Sequence, residues 1–183
     1  MIVTFLGASG SKEGCLVSPQ TLHKQPVRSL SRDAHMTENL STTWDGLPIS
    51  PEPPFGASIV IYRRQQGQVE FLILHRAHNG PEYEGEWAWT PPSGARLPNE
   101  AIDDCARREL LEETGLTLSV QPVDRGAESW AIYAAEATLD DRVVLDAEHD
   151  RFAWVTLEAA LAHCLPEQVG SSVAYIARLL QLV

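Results

Sequence analysis

An α/β architecture, a mixed β-sheet sandwiched between α-helices (an α/β/α sandwich), is predicted by three features of the 183-residue chain. Two adjacent runs after Gly56 are rich in β-branched and aromatic residues, the middle of the chain carries one strong helical period, and two further helical segments close the sequence. The length corresponds to about one domain and suffices to bury a core without disulfides or a structural metal.

Each element has a local cause. Ala57 to Arg64 and Gln68 to Arg76 read as strands joined by Gln65-Gln66-Gly67, a hairpin. Trp87 to Thr90 is a short strand stopped by Pro91-Pro92. From Asn99 to Thr114 the spacing is helical, with Asn99 as N-cap, acids in the first turn and Gly115 just past the end. Leu116 to Val123, Ser129 to Thr138 and Phe152 to Val155 read as strands, and Leu157 to His163 and Ser171 to Leu182 as helices.

The chain changes character near residue 55. Residues 9–55 are rich in Ser, Thr, Pro, Gly and Asn and show no sustained period, so residues 1–55 are expected to form a poorly ordered arm or an upstream extension, and residues 56–183 the domain. Met36 is an alternative start. Gly7-x-x-Gly10-x-x-x-Gly14 in that arm imitates a dinucleotide-binding turn but is followed by no helix that could receive a pyrophosphate.

Composition narrows function. With 14 basic and 25 acidic residues the net charge is −11, which argues against a partner that is a nucleic-acid polymer. An acidic protein that handles phosphates needs cations. Three scattered cysteines, Cys15, Cys105 and Cys164, indicate neither a disulfide framework nor a zinc site, and no stretch is suited to a signal peptide or a membrane span. A soluble, cytoplasmic protein is expected; a homodimer is compatible with the sequence.

The central helix holds the chemical signal. Ile102, Cys105 and Ala106 share one stripe, yet its continuation is Glu109, Glu112 and Glu113. Carboxylates at i, i+3 and i+4 are neighbours and repel one another, so a cation is called for. Gly94 permits a close backbone approach in the preceding loop, and Arg108 can orient a carboxylate. All-oxygen ligands suit Mg²⁺ or Mn²⁺ rather than zinc.

The order Gly94, five residues, Glu100, seven residues, Arg108-Glu109-Leu110-Leu111-Glu112-Glu113-Thr114-Gly115-Leu116 resembles the Nudix hydrolase signature at all nine specified positions over 23 residues. The resemblance covers about residues 57–183. It implies a Nudix fold, and a hydrolase that cleaves a phosphoanhydride bond in a nucleoside diphosphate linked to another group, a small-molecule nucleotide or polyphosphate. It further implies a divalent metal on Glu109, Glu112 and Glu113, with Arg108 as orienter and Glu100 as an outer acid. Gly94 and Gly115 complete the structure of the box. The general base is Glu109 or, in the loop before Phe152, Glu148; His149 beside it either meets a phosphate or is solvated.

Outside the box, Val69 to Leu74, Trp89 to Gly94, Glu148-His149 and Trp154-Val155 look like the asymmetric diadenosine tetraphosphate hydrolase branch, which often carries a tyrosine where Tyr133 stands. Nucleoside triphosphate and dihydroneopterin triphosphate pyrophosphatases, and a non-catalytic nucleotide-binding sensor, are the alternatives. Ser93 departs from the branch, which usually has Lys there. The long segment between His75 and Trp89 is a candidate lid in which Tyr83 or Trp87 stacks on a base. Arg76 and Arg96 are the nearest cations for phosphates, so Arg76, Arg96, Trp87 and Tyr133 are the candidate substrate contacts.

Overall fold

A computed structural model describes residues 42–43, 46–124, 126 and 129–182. The glycine-rich decoy, Met36 and Cys15 lie outside the described residues. Seven strands form one sheet: β1 (Gly56–Gln65), β2 (Gln68–Arg76), β3 (Trp89–Thr90), β4 (Ser93–Ala95), β5 (Gln121–Asp124), β6 (Trp130–Ala137) and β7 (His149–Val155). Three helices accompany them, α1 (Ile102–Thr114), α2 (Leu157–His163) and α3 (Glu167–Leu179).

The predicted hairpin is present, with Tyr62 opposite Phe71 and Gln65 opposite Gln68. Beyond it the two strands take different neighbours. β2 pairs with β3 and β7, while the start of β1 pairs antiparallel with β4 and, along its other edge, parallel with β6. The sheet is therefore mixed. Strand alternation divides the core into two layers. Ala57, Ile59, Ile61, Leu72 and Leu74 pack with Cys105, Ala106 and Leu110 of α1. Val60, Phe71 and Ile73 pack with Ala160 of α2 and Val173, Ile176 and Ala177 of α3. The sandwich predicted from sequence is the architecture observed.

Several boundaries differ for local reasons. Asn99 is not the N-cap: it adopts a left-handed φ of 64°, and α1 starts three residues later from Ala101 without a side-chain cap. Residues 116–120 form no strand, so β5 is shorter than expected. β4, a Ser-Gly-Ala triplet, has no β-branched residue to mark it. α3 begins at Glu167 and runs through Gly170, where a Cβ would stand 3.2 Å from the Leu161 side chain of α2; tight helix packing accounts for a residue that resembles a breaker.

Residues 46–55, assigned by sequence to the arm, are fastened to the domain. Thr43 N–H donates to Leu47 O at 2.9 Å. Ser50 N–H then donates to Arg96 O at 2.7 Å, Arg96 N–H to Phe55 O at 2.8 Å, and Phe55 N–H to Ser129 O at 2.7 Å. Residues 46–55 thus form a strap bound to the loop after β4 and to the residue just before β6. Among the described residues no helix is long and apolar enough to cross a membrane.

Candidate active site

Helix α1 ends where Gly115 turns left-handed at φ 68° and donates its N–H to Leu111 O at 2.8 Å, a closure that glycine makes without strain. The stripe that starts with Cys105 and Ala106 continues inward, so Glu109 and Glu113 are buried, while Glu112 lies more than half exposed. Glu113 Oε2 accepts from Ser93 N–H at 2.9 Å. Gly94 explains how Glu109 fits: a Cβ there would stand 2.0–2.1 Å from the Glu109 carboxyl atoms. Gly94→Ala should displace that carboxylate and raise the metal concentration for half-maximal activity about 10- to 100-fold, measured by Mg²⁺ titration of turnover.

Arg108 organises the acids. Its Nε and Nη2 grip both oxygens of Glu100 at 2.8 and 3.0 Å, and Nη2 also donates to Ala95 O at 2.9 Å. Nη1 bridges Glu109 at 2.6 Å and Glu112 at 3.0 Å. Glu100 is held from the other side by Leu97 N–H at 2.9 Å. The guanidinium is thereby pinned by a fork-like pair and spans the carboxylates.

The carboxylates pay electrostatically for their places. Burial raises the Glu109 pKa to about 7, outweighing the neighbouring Arg108, and Glu112 and Glu148 push it the same way. Burial and the adjacent Glu109 hold Glu113 well above its ordinary value against the opposing Ser93 N–H and Arg76. Burial also opposes ionisation of Glu100, but the hydrogen bonds from Arg108 and Leu97 bring it below its usual value. The acids around Arg108 thus differ: Glu100, just before α1, is neutralised by the guanidinium, while buried Glu109 and Glu113 disfavour their own charge and call for a cation.

These residues border a cleft of about 1090 Å³ that also takes in Arg76, Trp87, Ser93, Trp130, Glu148, the strap and the first turns of α3. Arg76, at a bulge where β2 meets β7, has a buried Nε with no hydrogen-bond partner among the described residues. Glu148 stands exposed at the rim. Trp87 lines the cleft with a left-handed φ of 64° and 45% exposure. The loop that carries it is stapled from below: His75, fully buried, contacts Asp150 Oδ1 at 2.6 Å and donates from Nε2 to Tyr83 O at 2.7 Å, and Trp89 Nε1 donates to Glu84 at 2.6 Å. Trp89 packs on the sheet side against His75 and His163.

Two of the predicted substrate contacts lie elsewhere. Tyr133 is completely buried in the α1 layer, its hydroxyl bonded to Asp103. Period-two alternation places its neighbour Ile132, not Tyr133, in the cleft. Arg96 spends its guanidinium on structure, donating to Glu100 O at 3.2 Å, to Ser50 Oγ at 2.7 Å and to Glu52 O, and so anchors the strap. Tyr83 does not line the cleft and folds over Gly85. His149 is buried rather than solvated; burial lowers its pKa and its Nδ1 faces Asp146 at 3.1 Å. Sequence reasoning missed Trp130, Ile132 and the α3 residues, for which no local signal exists.

Among the described residues no three acidic, His or Cys side chains converge as ready-made metal ligands. Arg108 Nη1 sits between Glu109 and Glu112 in this arrangement. The donor set nevertheless fits a hard divalent cation: four glutamates border one cleft, Glu109 disfavours the ionisation of Glu113, and Glu112 and Glu148 disfavour that of Glu109.

A family model described as the NUDIX domain matches residues 52–176. The chain is 31% identical over 127 residues to an asymmetrical bis(5'-nucleosyl)-tetraphosphatase of Caenorhabditis elegans, covering 63% of this chain and 88% of that protein. A protein of the same description from Mus musculus is 29% identical over 121 residues, covering 56% and 78%. Among solved structures, a C. elegans Ap4A hydrolase binary complex superposes with a TM-score of 0.57 at 29% identity over 69% of this chain and 98% of that one. A Nudix hydrolase from M. smegmatis, RenU, gives 0.58 at 19% identity over 80% and 97%, a likeness of fold.

Proposed function

The chain belongs to the NUDIX domain family, and on that premise we propose that it is a divalent-metal-dependent pyrophosphohydrolase that cleaves a dinucleoside polyphosphate asymmetrically, into unequal nucleotides. The observation that carries the reading is the pairing of buried, cation-demanding Glu109 and Glu113 with Arg76, whose unpartnered Nε borders the same cleft. The relatives at about 30% identity support the substrate class.

Glu109, Glu112 and Glu113 would hold the metal, Mg²⁺ or Mn²⁺ by their oxygen chemistry. When bound, the cation neutralises polyphosphate oxygens and acidifies water. Arg108 fixes the direction of the Glu109 and Glu112 carboxylates and leaves Glu100 as its counter-ion. Glu148, exposed at the rim of the cleft, accepts the proton of the attacking water, since Glu109 would be engaged by the metal and is packed against Gly94. The water oxygen bonds to phosphorus as the bridging P–O bond breaks, and the leaving phosphate departs as an anion. Arg76 supplies the positive charge that Ser93 does not. The buried thiols of Cys105 and Cys164, each pushed up to about 12 by burial, take no part in the chemistry.

Arg76→Gln should raise KM about tenfold with a smaller change in kcat, the value of one charge-assisted hydrogen bond, measured by steady-state kinetics. The deciding experiment is a screen of dinucleoside polyphosphates, nucleoside triphosphates, nucleotide sugars and ADP-ribose with Mg²⁺ or Mn²⁺. Dinucleoside polyphosphates should show the highest kcat/KM and none should turn over after chelation. Preference for another class, or turnover that survives exhaustive chelation, overturns the reading.

A further inference from the structure

One wall of the cleft is built from chain outside the family's box. Trp130 opens β6 and is 41% exposed, although indole is a costly surface to leave in water. Its parity matches Ile132, so it faces the cleft rather than the α1 layer. Gly56 lies under its ring: a Cβ on Gly56 would come within 2.7 Å of the indole carbons. Only a bare backbone accepts a ring laid so closely across it. Leu47 and Ile49 of the strap border the same cleft, as do Val169 and Gln168 of α3. Arg96 holds the strap through Ser50 and Glu52, which gives its guanidinium a purpose remote from phosphate.

We infer that Trp130, with Leu47 and Ile49, forms a subsite for the planar base of a nucleotide, the indole stacking on the base and the strap closing over its edge. The inference rests on the nucleotide chemistry proposed above. Trp130 and Ala95 are the register partners of Gly56 on its two edges, so their backbones stand about 10 Å apart, two strand spacings. Ala95 follows Gly94, against which the Glu109 carboxyl packs. A base on Trp130 therefore lies within a nucleoside's reach of the carboxylates. Gln168 offers both a donor and an acceptor to a base edge.

The test compares wild type, Trp130→Ala, Trp130→Phe and the strap variant Leu47→Ser/Ile49→Ser. With a dinucleoside tetraphosphate and Mg²⁺, Trp130→Ala should raise KM about tenfold at unchanged kcat, the loss expected for one base stack. Trp130→Phe should stay near wild type, and the strap variant should shift KM in the same direction. Inorganic tetraphosphate, which has no base, should inhibit all four with the same Ki. An unchanged KM in Trp130→Ala, or KM and Ki rising together, overturns the subsite. If wild type turns over no dinucleoside polyphosphate, the functional reading fails by itself. Equilibrium dialysis of ADP with Mg²⁺ then decides the subsite: binding weakened about tenfold by Trp130→Ala supports it, and equal or absent binding in wild type and variant overturns it.

Discussion

Glu113→Gln should abolish turnover and yet stabilise the metal-free fold. The side chain is 4% exposed, and burial together with Glu109 drives its pKa well above the carboxylate range. Glutamine has the same shape, its amide oxygen can still accept from Ser93 N–H, and it removes the charge that burial penalises. If Glu113 holds the cation as proposed, its removal should cut kcat at least about a hundredfold, since cation stabilisation of phosphoryl transfer is worth several kcal/mol. The melting temperature of the chelator-treated variant at pH 8 should exceed that of wild type, each kcal/mol corresponding to about 2–4 °C for a chain of this size. A variant that loses both activity and stability would show that Glu113 is a structural residue and not a strained functional one.

The second large effect is the dependence of stability on pH and metal. Glu109 titrates at about 7 in the fold against an ordinary 4.5, so the folded chain binds the proton more tightly than the unfolded one. Its contribution is intact below pH 4.5, falls as pH rises toward 7 and is then fully lost, about 3 kcal/mol. Glu113 acts in the same direction. His149 opposes them near pH 6.5, because burial keeps its imidazole neutral while the unfolded chain takes up a proton. Saturating Mg²⁺ separates the contributions, since it cancels only the carboxylate repulsion and displaces the carboxyl protons. The rise in melting temperature on adding Mg²⁺ should be several degrees larger at pH 8 than at pH 5.5. An increment that stays constant or shrinks across that range would mean that the cation does not meet these carboxylates.

What the sequence made legible was whatever is encoded locally. The β1–β2 hairpin and α2 appear within a residue or two of expectation, because alternation, helical period and turn residues all lie within the elements themselves. Glu109 and Glu113 could be recognised because they interrupt an apolar stripe that the helix nevertheless buries. The misplacements have distant causes. Tyr133 sits at a spacing that suggests substrate contact, but its direction depends on the pleat of β6 against β1, which no motif spacing records. Arg96 looked like a cation for phosphates because its real partners, Ser50 and Glu52, belong to a stretch whose composition suggests no order. Asn99 has the chemistry of an N-cap but a left-handed backbone, so the helix begins beyond it. Trp130 becomes interpretable only when Gly56 is seen beneath it.

The parallel pairing of β1 with β6 also bears on how the molecule reaches its active form. Gly56 meets Trp130 across 73 intervening residues, whereas the hairpin and α1 are assembled from neighbours in the chain. Closing so long a loop is entropically slow, so the hairpin and helix can organise well before the cleft acquires its Trp130 wall. During refolding the carboxylate helix would exist for a time without the surface that recognises a base. Recovery of substrate affinity should therefore lag recovery of helical signal, with the docking of one strand, rather than the forming of one helix, setting the time at which the cleft becomes selective.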